Sequence, residues 1–145
     1  MKLVLKEVKN LKKTLVTITY NLFDRHTQEI VNMVRGHTIQ LEGIRDGAVH
    51  FIDSKEVYYI ESVDNTLFLY AHTDIYQCKE KLYTIEKKLS KRSFVRINKS
   101  TILNMDMLES VLPLPNYRLE AKLRNGEHVI INRHYVKDIK NYLEI

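Results

Sequence analysis

Two dipeptides, Asp46-Gly47 and Asn125-Gly126, each lie between short runs in which apolar and polar residues alternate. This commits much of the chain to antiparallel hairpins, because Asp-Gly and Asn-Gly accept the positive φ angles of tight turns. The first hairpin covers residues 38–45 and 48–52, with Ile39 and Leu41 alternating on one arm and Val49 and Phe51 on the other. The second covers 118–124, carrying Leu119, Ala121 and Leu123, and returns over 127–131. Between them, residues 57–62, 66–71, 76–78, 94–97 and 109–114 read as further strands. Val63-Asp64-Asn65 is read as a hairpin loop, Asn98-Lys99-Ser100 breaks the strand before it, and residues 104–108 form a turn or one helical turn. The stretch Pro113-x-Pro115-Asn116 reads as a loop, since proline cannot donate to a ladder.

Three segments carry helical spacing instead. Asp24 is placed to cap a helix bearing Phe23, Ile30, Val31 and Val34, with Gly36 as its stop. A second helix, over about 79–90, puts Leu82, Ile85 and Leu89 on one face, and a third, over about 134–143, does so with Val136, Ile139 and Leu143. Ahead of the first helix, residues 2–8 and 14–20 look like two strands, the latter alternating Val16, Ile18 and Tyr20 with threonines. The expected fold is mainly β with short helices, α+β overall. It has about ten strands and three helices, and a small strand–strand–helix–strand segment over 1–46 precedes a domain over 47–145.

The chain of 145 residues, 44% apolar with one cysteine, is long enough to fold around a core without disulfides. It has neither a secretory signal nor an apolar run of membrane-spanning length, and it reads as a protein of a reducing cytoplasm. Its net charge of +5 is concentrated. Residues 79–99 alone carry +6, from Lys79, Lys81, Lys87, Lys88, Lys91, Arg92, Arg96 and Lys99 against Glu80 and Glu86, leaving the rest at −1. Such a window is either a solvated helix face or a footprint for a polyanion, which clustered cations bind by releasing phosphate counterions.

Enzyme chemistries find little support. The six histidines show no His-x-x-x-His spacing and no Cys-x-x-Cys partner, so no metal or other cofactor is expected. There is no Gly-x-Ser-x-Gly elbow, no glycine-rich phosphate loop and no periodic pairing of carboxylates. Cys78 reads as a buried thiol, with a redox switch as the alternative because Lys79 and Lys81 adjoin it. Tyr58, Tyr59 and Tyr70 alternate within strands as core or hairpin-face residues, and the aromatic-rich signatures of RNA stacking are missing.

Several fragments in fixed order point further. They are Val57-Tyr58-Tyr59-Ile60-Glu61-Ser62, then Leu82-x-x-Ile85-Glu86-x-x-Leu89, then Phe94-Val95-Arg96-Ile97-Asn98-Lys99-Ser100-Thr101-Ile102-Leu103-Asn104. Leu123-Arg124-Asn125-Gly126 and Ile131-Asn132-Arg133-His134-Tyr135-Val136 follow. Together they resemble the LytTR family of bacterial DNA-binding domains over about residues 47–145. The resemblance implies an elongated β fold, a role in transcription regulation, and loops rather than a recognition helix in successive major grooves.

Carried over by position, the base-contacting loops are the turn around Asp64, Asn65 and Thr66, then Asn98-Lys99 just before Ser100, and finally Arg133. Many family members carry His where this chain has Asn98, so a contact needing an imidazole is not transferred. Arg133 is the leading base reader, since a guanidinium bonds guanine O6 and N7 together. Lys99 suits a guanine or a phosphate, while Ser100 and Asn104 suit a phosphate or the bracing of the loop. Arg96 is either a DNA contact or a structural ion-pair partner, with Glu61 as one choice, and Asn104 is read first as a cap for the turn at Asp106. Lys87, Lys88, Lys91 and Arg92 are assigned to diffuse phosphate attraction.

Many family regulators place a phosphoacceptor receiver ahead of this domain. Residues 1–46, with Glu7, Asp24, Glu29, Glu42 and Asp46 as scattered acids, do not fit one. They are similar instead to the segment of stand-alone regulators, often encoded beside a membrane protein that restrains them. A dimer surface or a docking site for such a membrane partner is the expected role of 1–46. The function expected is a sequence-specific double-stranded DNA-binding regulator acting as a homodimer, with no small-molecule substrate. The alternative is a protein-interaction module of the same fold that senses a membrane partner without reading bases.

Overall fold

The computed structural model describes residues 2–35, 39–90 and 93–145. Two compact units divide between His37 and Thr38, which assigns the first hairpin to the second unit. In the first unit, helix α1 (Arg25–Arg35) starts where the sequence places its cap, the Asp24 carboxylate accepting the Thr27 N–H at 2.8 Å. That hydrogen bond, with the Thr27 hydroxyl also donating to Asp24, holds the carboxyl below its ordinary range. Residues 2–8 and 14–20 are not strands. Leu3, Leu5 and Leu15 remain exposed, and alternation over a few residues does not make a ladder where no third strand or packed face supports the pair. Gly36, read as the helix stop, lies outside the described residues, as does Thr38 at the start of the first hairpin.

The second unit contains two antiparallel sheets. The larger is built from β1 (Gln40–Arg45), β2 (Ala48–Asp53), β3 (Val57–Val63), β4 (Thr66–Ala71), β5 (Ile75–Cys78), β6 (Phe94–Asn98) and β7 (Thr101–Asn104), in the spatial order β2-β1-β5-β4-β3-β7-β6. The smaller contains β8 (Leu108–Leu114), β9 (Arg118–Leu123) and β10 (His128–Ile131), in the order β10-β9-β8. Helix α2 (Leu82–Lys88) is shorter than the sequence suggests, and α3 (Arg133–Leu143) begins one residue earlier. Among the described residues no helix is long and apolar enough to cross a membrane.

Hairpin turns follow the sequence closely. Asp46 and Gly47 both have positive φ (51° and 78°), the two-residue turn that fits strand twist. Asp64 and Asn65 do the same between β3 and β4. Asn125-Gly126 differs, because only Gly126 is left-handed (φ 89°). The Gly126 N–H donates to the Leu123 carbonyl and the Leu123 N–H to that of Glu127, which makes a three-residue loop from Arg124 to Gly126. Gly43 serves packing: a Cβ there would stand 2.6 Å from both Ile52 Cδ1 and Tyr76 Cβ.

Two strand expectations are corrected. Pro113 lies within β8, opposite Leu119, and the loop begins only at Pro115. As the outermost strand of its sheet, β8 can spare a backbone donor. Residues 101–104, which the alternation pattern passes over, form β7, and all four are buried. Ile102 joins a core with Ile60, Leu69, Ile85 and Leu89 beneath α2, while Leu103 joins a second with Ile97, Leu123, Ile131 and Ile139 beneath α3. A strand covered on both faces has no polar side to alternate with.

Candidate functional site

Three connections meet at one end of the larger sheet. The β3–β4 turn carries the exposed Asn65 at its tip, and the short side chains of Asp64 and Asn65 tolerate the left-handed backbone there. In the β6–β7 turn, Asn98 Oδ1 accepts the Ser100 N–H at 2.9 Å and its hydroxyl at 3.1 Å, and Lys99 is left exposed at the tip. In the β10–α3 junction, the extended Asn132 is followed by the exposed Arg133 as first residue of the helix.

Two backbone hydrogen bonds tie these connections together. The Ser62 N–H donates to the Ser100 carbonyl at 2.8 Å, setting the β3–β4 turn beside the β6–β7 turn. The Asn132 N–H donates to the Ile97 carbonyl at 2.9 Å, setting Arg133 beside the end of β6. A cleft of about 300 Å³ runs between these elements, lined by Glu61, Asn98, Thr101, His128 and Asn132 among others. Tyr59, at its wall, stacks on Tyr70 with ring centroids 4.3 Å apart. Burial pushes the Tyr59 hydroxyl well above its ordinary range, and the Glu127 carboxylate beside it adds to the shift.

Arg96 sits beneath the tip as a brace. Its Nε donates to Glu86 Oε2 of α2 at 2.6 Å and its Nη1 donates to the Lys99 carbonyl. The ion-pair partner is therefore Glu86, whereas Glu61 accepts from the Thr101 hydroxyl at 3.5 Å. Asn104 is internal: it is buried, its Oδ1 accepts the Asp106 N–H at 3.1 Å and its Nδ2 donates to the Val57 carbonyl at 2.8 Å. The capping role is met.

Asn65, Asn98, Lys99, Ser100 and Arg133 are thus brought to one end of the sheet, with Arg96 behind them. Lys88 is not among them. It lies on α2, with its ammonium 3.0 Å from the Glu80 carboxylate. The two acids of the basic window, Glu80 and Glu86, are both engaged by its own cations. Lys87 stands over the Tyr83 ring at 5.6 Å, and Lys91 and Arg92 lie outside the described residues. Among the described residues of the window, two of its cations, Lys88 and Arg96, are thus taken up by its own acids.

Asn132 escaped selection as a site residue. It is exposed at the N-cap position, its side chain makes no cap hydrogen bond, and it adjoins Arg133. The visible cue is an Asn before the first helical residue, but that pattern ordinarily marks a cap and nothing more. The first turn of α3 holds no acid, so the positive end of its dipole faces the same place as Arg133.

Cys78 belongs to the core rather than to a reactive site. Burial pushes its thiol up, and the cation acting against this is Lys88, not Lys79 or Lys81. Alkylation with iodoacetamide followed by mass spectrometry is expected to be at least about a hundredfold slower on the folded chain than in denaturant. Equal rates would restore the redox reading.

Comparison with known proteins gives consistent results. The family model described as the LytTr DNA-binding domain matches residues 47–144. An uncharacterized HTH-type transcriptional regulator of Staphylococcus aureus strain MSSA476 is 31% identical over 124 residues, covering 83% of this chain and 82% of that protein. A counterpart in strain MRSA252 is 30% identical over 124 residues, with the same coverage. Among solved structures, a LytTr DNA-binding domain from Bacillus cereus superposes with a TM-score of 0.69 over 73% of this chain and 97% of that one. At 22% identity that likeness concerns the fold.

Proposed function

Because this chain belongs to the LytTR family of DNA-binding domains, a family of transcription regulators rather than enzymes, we propose that it reads a specific duplex through the three connections described above. Arg133 reads a guanine by a bidentate bond, and Lys99 contacts a neighbouring guanine or phosphate. Asn98 and Ser100 fix the shape of the β6–β7 tip, and Asn65 extends the surface to the adjoining groove. The protein acts as a homodimer on a repeated site.

One observation carries this reading: the bonds from Ser62 to Ser100 and from Asn132 to Ile97 bring three exposed tips to one end of the larger sheet. A helix-turn-helix is a poor alternative. Among the described residues no two α-helices follow one another without strands between them.

Titration against salt tests the assignment of charge. Lys99→Ala is expected to reduce the slope of log K against log salt by about one unit, as for one lost phosphate contact. Lys88→Ala is expected to change it by clearly less, because Glu80 already neutralises Lys88. Equal slopes for the wild type and Lys99→Ala, with a large change for Lys88→Ala, would move the contact surface to α2.

A second reading, docking of a partner protein, draws on residues 2–22. There Leu3, Val4, Leu5 and Leu15 expose most of their surface.

A further inference from the structure

We propose that two copies of this chain associate through the outer edge of β2, the larger sheet continuing from one copy into the other. The proposal rests on the homodimer part of the reading above and is independent of how bases are recognised.

The larger and smaller sheets have four outer strands: β2, β6, β8 and β10. Exposed edges are normally blunted by proline, charge, distortion or cover. Strand β8 carries Glu109 and Pro113, and a register irregularity between Leu108 and Ser110. The outer side of β6 is occupied at Ile97 by the Asn132 N–H of the β10–α3 junction, which also sets β10 beside β6. Among the described residues of the second unit, strand β2 carries no proline and no register irregularity, and its one acidic residue, Asp53, stands at its end. The run Ala48-Val49-His50-Phe51-Ile52 contains no acid, lysine, arginine or proline, and the pairing of β2 with β1 is regular over six residues.

Hydrogen-bond alternation fixes which groups are available. In a hairpin closed by Asp46-Gly47, Arg45 and Ala48 exchange both backbone bonds, and so do Gly43 with His50 and Leu41 with Ile52. The N–H and C=O groups of Val49 and Phe51 therefore point away from β1. The side chains agree. Ile52 is buried on the core face, so Val49 and Phe51 project from the opposite face, 54% and 67% exposed.

A second copy of the same strand is the occupant that fits. An antiparallel pair about a two-fold axis through His50 sets Val49 opposite the second copy's Phe51, and Phe51 opposite its Val49. Both pairs lie at positions whose backbone groups are free to bond. Aromatic against β-branched residues are favourable cross-strand neighbours. In the same register Asp53 meets Gly47, so no two like charges are set directly opposite. His50, with its ring 5.3 Å from that of Tyr76, lies at the centre against its own copy.

The test is sedimentation of the full chain without DNA, with two variants. The wild type is expected to show a dimeric mass. Phe51→Lys, at a mostly exposed position, is expected to stay folded by circular dichroism while its dimer dissociation constant rises by about tenfold or more. Under mild oxidation His50→Cys is expected to give a covalent dimer, because residues facing each other across a non-hydrogen-bonded pair come within disulfide reach. A wild type that stays monomeric overturns the proposal. So does a dimer that survives Phe51→Lys unchanged and leaves His50→Cys uncrosslinked. Either failure leaves DNA binding to be judged separately, by affinity of the same samples for duplex.

Discussion

Arg133→Ala is expected to lower affinity for the preferred duplex by about 1–3 kcal/mol and to flatten the preference at one base pair. The expectation follows from where the residue is held. Arg133 opens α3, whose Ile139 is buried against the second core, and the preceding residue is pinned to β6 by the Asn132–Ile97 bond. A guanidinium on such a mount can present its two donors in a fixed direction, whereas a side chain on a floating loop cannot. Arg133→Lys separates charge from geometry. It keeps the cation and hence most of the salt slope, but it loses the planar fork, so the base preference should fall nearly as far as in the alanine variant. Competition against duplexes altered one base pair at a time provides the readout. Uniform weakening on every duplex would make Arg133 a phosphate contact instead.

Asn104→Ala is expected to cost about 2–4 kcal/mol of stability without touching DNA affinity at temperatures where the chain remains folded. Its amide satisfies two backbone groups at once, the Val57 carbonyl and the Asp106 N–H. Alanine removes the cap from the turn after β7 and leaves a buried carbonyl without its donor. The melting temperature should fall by roughly 6–12 °C. Asn104→Asp is expected to give no rescue. It keeps the acceptor for Asp106 but turns a carboxylate toward the Val57 carbonyl in a buried site. Thermal melts of both variants, with duplex titrations at low temperature, check this. A loss of DNA affinity at full foldedness would return Asn104 to the contact surface.

How far the sequence revealed these features varied with their physical origin. Hairpins at Asp46-Gly47 and Asp64-Asn65 were legible because the backbone angles they need are written in the residue types. The helix α1 cap was legible because a carboxylate just ahead of a helix accepts one of its first N–H groups. Strand β7 was not, because Ile102 and Leu103 serve different cores and leave no polar face. At 2–8 and 14–20 the local pattern was strand-like, but a strand is decided by a partner, and the pattern contained no information about one. The partner of Arg96 was likewise a tertiary fact: Glu86 lies ten residues away on another element. As for the site, family resemblance grouped Arg133 and Lys99 with Asn65, and the chemistry of Arg and Lys agreed with the contacts that the resemblance implied. Their meeting at one end rests on two backbone bonds that no side chain announces.

Selection of bound duplexes from random DNA, with the winner titrated against salt beside a scrambled duplex, tests the central claim most directly. The expected result is a recurrent motif bound about a thousandfold more tightly than the scrambled sequence at physiological salt. The spacing of its repeats would then report the arrangement of the two subunits. A steep salt dependence with no motif would contradict base reading by the three connections, leaving only phosphate attraction. Absence of binding to any duplex would shift the account to the docking of a partner protein.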